Sequence, residues 1–188
     1  MSTIRVGNIG PLTGNTSVIA DPGASPAGMS LVSLPVVNTV GGLTSYTLAS
    51  GFPTWIRRVT IAFASVTCSA STNPMIQLVA GGAAVTSGYT YYASYVASGS
   101  GTTNYTTGFG IRGGAPSSGD VHHGSLVLHQ VSTNLWSATL AGSMYSSAYY
   151  GSVGGGWISL SGALTGLILT SVGGATTFSG GQMTVFYE

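Results

Sequence analysis

The chain has 188 residues, enough for one domain with a sizeable core, yet it carries only four arginines, no lysine and three acidic residues. Ordinary domains are about one quarter charged, so a basic nucleic-acid surface is excluded, and the single cysteine, Cys68, excludes an intrachain disulfide scaffold. Mean hydropathy is +0.41, but no apolar run approaches the roughly 18 to 20 residues of a membrane span.

Residues 1 to 45 read as an extended arm. Pro11, Pro22, Pro26 and Pro35 are interleaved there with Gly and Ser. No charged start leads into an apolar stretch, so no signal peptide is expected. Ile4, Val6 and Ile9, together with Leu31, Val32 and Leu34, are the candidate attachment residues of this arm. Its segment Ser30 to Val40 is too apolar to stay in water and is expected to add a strand to a neighbouring subunit or to pack on a partner.

Residues 46 to 188 read as an all-β domain. Thirty glycines and seven prolines, spread through the chain, leave few windows in which a helix could persist. Trp55 to Val66 alternates Val59, Ile61 and Phe63 with Arg58, Thr60 and Ala62, the period-2 signature of a half-buried strand. Further strands are predicted at Met75 to Val79, Tyr89 to Val96, Tyr105 to Ile111, Ser125 to Val131, Trp136 to Ala141, Leu164 to Thr170 and Gln182 to Tyr187. About eight short strands with turn signals between them suggest an antiparallel two-sheet sandwich, jelly-roll-like, following the N-terminal arm. Gly113-Gly114 and Gly154-Gly155-Gly156 read as turns, since neither is followed by the Lys and helix start of a phosphate-binding loop.

The scarcity of charge also limits chemistry. A paired-carboxylate site would have to unite Asp120 with Asp21 or Glu188 across the fold, and both aspartates look like turn residues. A triad of Asp120, His123 and a serine can be written, but residues from one loop rarely adopt that geometry. His122, His123 and His129 lack the spacing of an intrachain metal site. Three copies of one histidine could still meet on a threefold axis. No catalytic residue, cofactor or resident metal is therefore assigned. Tyr89, Tyr91, Tyr92, Tyr95 and Tyr105 are the candidate ligand or partner surface, the other reading being that they fill sheet faces and a subunit interface.

Net charge near zero and sheet edges without lysine point to burial in an oligomer. The segment Gly51-Phe52-Pro53-Thr54-Trp55-Ile56-Arg57-Arg58-Val59-Thr60-Ile61-Ala62-Phe63 resembles the "G-I-P-x-x-[VI]-K-R-I-T-[VI]-x-F" opening of a β-domain found in bacteriophage tail-fibre and virion surface proteins. Gly124-Ser125-Leu126-Val127-Leu128, Trp136, Leu164 to Thr170 and Phe178-Ser179-Gly180-Gly181-Gln182-Met183-Thr184-Val185 are similar to later motifs of that domain, in the same order. Ser179 departs from the Asp common after that Phe.

The resemblance implies a virion location, commonly a homotrimer, contacts with other virion proteins, and no catalytic residues. It leaves a fibre or knob that touches a host glycan or receptor beside a capsid decoration or head fibre that stabilises the particle. A polysaccharide-cleaving tail spike and a lectin-like glycan-binding module are the alternatives from other classes.

Overall fold

The computed structural model describes residues 31–96 and 100–188. Among them are fourteen strands and no helix, as glycine distribution and period-2 alternation require. In chain order the strands are β1 (Val32–Ser33), β2 (Val37–Asn38), β3 (Ser45–Ser50), β4 (Arg58–Cys68), β5 (Pro74–Ala80), β6 (Ala83–Ala84) and β7 (Thr90–Val96). There follow β8 (Ser100–Tyr105), β9 (Phe109–Gly110), β10 (Val121–Ser132), β11 (Leu135–Tyr145), β12 (Tyr149–Ser159), β13 (Leu164–Ser171) and β14 (Phe178–Tyr187).

Two antiparallel sheets of unequal size share these strands, and the expected two-sheet sandwich is what the chain forms. The larger has nine strands in the order β1-β14-β4-β10-β11-β12-β7-β8, with β2 also on β14. The smaller runs β3-β13-β5-β6, with β9 on β5. Their facing sides interdigitate as one core: Val59, Ile61, Leu126 and Leu128 of the larger sheet and Ile76, Leu78, Leu167 and Leu169 of the smaller are all fully buried. Burying one such side chain contributes about 1.5–3 kcal/mol.

The alternation seen in the sequence survives in β4 only as far as Phe63. Ser65 takes a left-handed conformation (φ 58°), and the pairing of β4 with β10 slips there, between His122 and Gly124. This bulge reverses the parity, so Val66 and Cys68 face the core after Val59, Ile61 and Phe63. His123 caps the distortion, its Nδ1 accepting the Ser65 N–H at 3.3 Å. Cys68 is a free, buried thiol, and burial pushes its pKa up to about 11, consistent with a packing role.

Three sequence expectations change. Gly154, Gly155 and Gly156 are not a turn but the middle of β12. A Cβ at Gly154 would run into the Tyr91 hydroxyl, and one at Gly156 into the Thr90 carbonyl and Tyr91 Cα, so close approach from β7 is what requires glycine there. The expected strand from Tyr105 to Ile111 is broken, because the chain leaves the larger sheet after Tyr105 and enters the smaller at Phe109.

The third change concerns the arm. Its described part, residues 31–44, lies along its own β14 instead of a neighbouring subunit's strand: Val32 pairs with Tyr187 and Val37 with Met183. The free edge of β14 has unpaired backbone groups that the nearest segment satisfies. Leu34 and Val37 pack against the core, whereas Leu31, Val36 and Val40 stay exposed. The expected boundary at residues 45/46 falls inside β3. Ile4, Val6 and Ile9 lie outside the described residues.

Candidate functional site

Strand pleating turns successive side chains to opposite faces, and in the larger sheet this separates two chemistries. The inner face is apolar over most of its area and polar at one end. The outer face is exposed and has almost no charge.

The tyrosines divide between these faces. Tyr91 and Tyr105 are paired opposite each other across β7 and β8 and both point inward, 0% and 2% exposed. Tyr89, just before β7, is also buried; its hydroxyl accepts the Leu78 N–H at 2.8 Å and donates to the Val85 carbonyl at 3.0 Å. Burial pushes the Tyr89 pKa up to about 12 and those of Tyr91 and Tyr105 higher still. These three are core residues and not the ligand surface expected of them, because their proximity in sequence did not reveal strand parity. Tyr95 packs edge-on against Tyr150, with ring centroids 5.5 Å apart. Tyr92 alone of the five is strongly exposed, at 53%.

Beneath the inner end of β10 lies a buried polar cluster. Arg112 and Asp120 form an ion pair whose side chains are 5% and 4% exposed. The Arg112 guanidinium also donates to the Ala115 carbonyl and, at 3.1 Å, to the Gly113 carbonyl. Asp120 Oδ2 accepts the Ser117 N–H at 2.7 Å, and Tyr105 donates its hydroxyl proton to the Arg112 carbonyl at 2.5 Å. The loop from Gly113 to Gly119 is thus pinned at both ends. Asp120 closes the turn read from its neighbours, its N–H donating to the Ser117 carbonyl at 3.3 Å, and it is buried there.

His122 is buried in the same region. Burial, and then the positive charges of Arg112 and His123, pull its pKa down to about 3. Its Nδ1 has no hydrogen-bond partner, nor have Asp120 Oδ1 and Asn73 Oδ1. His123 and His129 face the other way, the adjacent pair diverging as an extended backbone demands. Among the described residues, no three His, Cys, Asp or Glu side chains come together. Asp120 and His123 do not form a relay: the carboxylate is held by Arg112 and Ser117, and the imidazole Nδ1 by Ser65.

The outer face runs unbroken from β14 to β8. One row across it reads Thr184, Ala62, Ser125, Ala141, Val153, Ser94, Thr102, each residue paired with the next. The next reads Phe186, Thr60, Val127, Thr139, Gly155, Tyr92, Asn104. Strands β10, β11, β12, β7 and β8 contain no Asp, Glu, Lys or Arg at all. Their exposed large apolar side chains are Tyr92, Val96, Val131, Tyr145, Tyr149, Val153 and Trp157.

Tyr145 and Tyr149 meet across the β11–β12 turn with ring centroids 4.8 Å apart. Val153 and Trp157 carry no signal as site residues in the sequence, since β12 reads as glycine-rich turn there. No protein-family model, curated protein or solved structure matches the chain.

Proposed function

We propose that the protein is a non-enzymatic structural element of a bacteriophage virion surface, a homotrimeric fibre knob or capsid decoration (head fibre) that works in host attachment or particle stabilisation. The observation that carries this reading is the wide outer face of the larger sheet, which over β10, β11, β12, β7 and β8 holds no Asp, Glu, Lys or Arg and has His123 and His129 as its imidazoles, and so suits association. The described carboxylates are both engaged with arginine, Asp120 with Arg112 and Glu188 with Arg58. The motif order from Gly51 to Val185 supplies the phage context. The chain passes repeatedly between the two sheets, with β3, β5, β6, β9 and β13 in the smaller and the remainder in the larger, which favours a jelly-roll-like connectivity, while β7–β8 and β10–β11–β12 are hairpin and meander within the larger sheet.

Trp157 and Tyr92 sit diagonally on neighbouring strands of this face, Trp157 opposite Thr90 and Tyr92 opposite Gly155, a spacing aromatic rings can bridge, which suits association through this face.

Purified protein, host cells and emptied capsids test the two roles. Adsorption to cells with blocked infection supports attachment; binding to emptied capsids with raised capsid stability supports decoration. Release of sugar products from host polysaccharide, with neither binding, contradicts the proposal.

A further inference from the structure

The Gly154-Gly155-Gly156 run contains two kinds of glycine. Gly154 and Gly156 face inward, where a Cβ would collide with β7. Gly155 faces outward, and the nearest atom a Cβ there would meet is the Ala138 carbonyl oxygen at 3.8 Å, an ordinary contact. Gly151, on the same face, is equally free, its nearest such neighbour 3.9 Å away. Neither has a positive φ. Nothing within the subunit therefore requires glycine at either position. Glycine weakens a strand interior, and where its own chain does not call for it, it marks a place where another backbone or ligand comes close.

What comes close is indicated by charge and area. A residue beside a symmetry axis meets its own copies, so any charged residue there would confront like charges. The five strands of this face carry no Asp, Glu, Lys or Arg, and neither do those of the smaller sheet; what singles out the larger sheet's face is its extent and its exposed Tyr92, Val153 and Trp157. With strands spaced about 4.8 Å and rising about 3.3 Å per residue, five strands of these lengths present a face of about 700 Å². A standard two-body interface takes about 800 Å² from each partner, and around a threefold axis this face is divided between two neighbours. The aromatic and β-branched residues that stand up from the face, Tyr92, Val153 and Trp157, are about half exposed in the single chain and are of the kind that anchors interface centres.

We infer that the outer face of β10, β11, β12, β7 and β8 is the surface through which copies of this chain pack around a threefold axis, with Gly151 and Gly155 admitting the neighbouring subunit's backbone. This rests on the trimeric virion reading and adds the face that builds the trimer. The face turns inward, and the smaller sheet then faces outward.

Light-scattering mass after gel filtration, with circular dichroism to check folding, tests it. The full chain is expected at three chain masses. Gly155→Val, whose Cβ makes only an ordinary contact in its own subunit, and Val153→Glu are each expected at one chain mass with an unchanged β spectrum. Val172→Glu, at an exposed site outside these strands, is expected to remain trimeric. A wild-type monomer overturns the inference. So does a Gly155→Val or Val153→Glu protein that keeps the trimer mass, or a Val172→Glu protein that loses it. A wild-type monomer overturns the trimeric reading as well, whereas a wild-type trimer whose variants behave otherwise than expected overturns the face alone; the virion location is read separately, on particles.

Discussion

Arg112 and Asp120 lie eight residues apart in one glycine- and proline-containing loop, and they are ion-paired with both side chains withdrawn from water. Each needs the other. Burial pulls the Arg112 pKa down, the nearby Tyr105, Tyr95 and Tyr150 opposing that shift. Asp120→Ala leaves a buried guanidinium without its counter-charge and is expected to cost about 3–5 kcal/mol, measured by denaturant unfolding. The paired replacement Arg112→Met with Asp120→Leu is expected to recover most of that loss.

His122 sets an acid-side dependence of stability. Its pKa is about 3 in the folded chain against about 6.5 when unfolded. Between those values the unfolded state takes up the proton and the folded state does not, so stability is greatest above pH 6.5 and falls as the pH drops toward 3. The expected slope reaches about 1.4 kcal/mol per pH unit. His122→Leu should flatten this part of the curve in melts run from pH 7 to pH 3.5; an unchanged slope would show that other groups carry it.

Two buried tyrosines should respond oppositely to loss of their hydroxyls. Tyr89→Phe strands the Leu78 N–H and the Val85 carbonyl and is expected to destabilise by about 1–3 kcal/mol. The Tyr91 hydroxyl is buried without a partner, so Tyr91→Phe is expected to be neutral or stabilising. Denaturant midpoints of the two variants check both.

Strand β12 gives a steric contrast. Gly156→Ala drives a methyl into the Thr90 carbonyl and Tyr91 Cα and is expected to cost about 1–3 kcal/mol. Gly162→Ala, where nothing lies within 4 Å, is expected to leave the melting temperature within about a degree, since an open surface site changes stability little.

The sandwich was legible because alternation is local: Val59, Ile61 and Phe63 announce their face within five residues. What sequence could not reveal is set by partners far along the chain. Gly154 and Gly156 look like a turn until Tyr91 is known to lie against them, and Tyr91 looks like a surface residue beside Tyr92 until strand parity sends the two to opposite faces. The bulge at Ser65 likewise depends on β14, β10 and His123. Asp120 had a weak signal, being the only acid near Arg112. The outer face was half visible: the absence of charge is a matter of composition and extends to the smaller sheet, but placing Val153 and Trp157 on that face needed Tyr149–Ser159 to be recognised as a strand.

Electron microscopy of intact virions labelled with gold-conjugated antibody against this chain tests its assignment to the particle surface most directly. Gold at fixed positions on fibres or capsid is the expected result. Unlabelled particles from a lysate that contains the folded protein would contradict it.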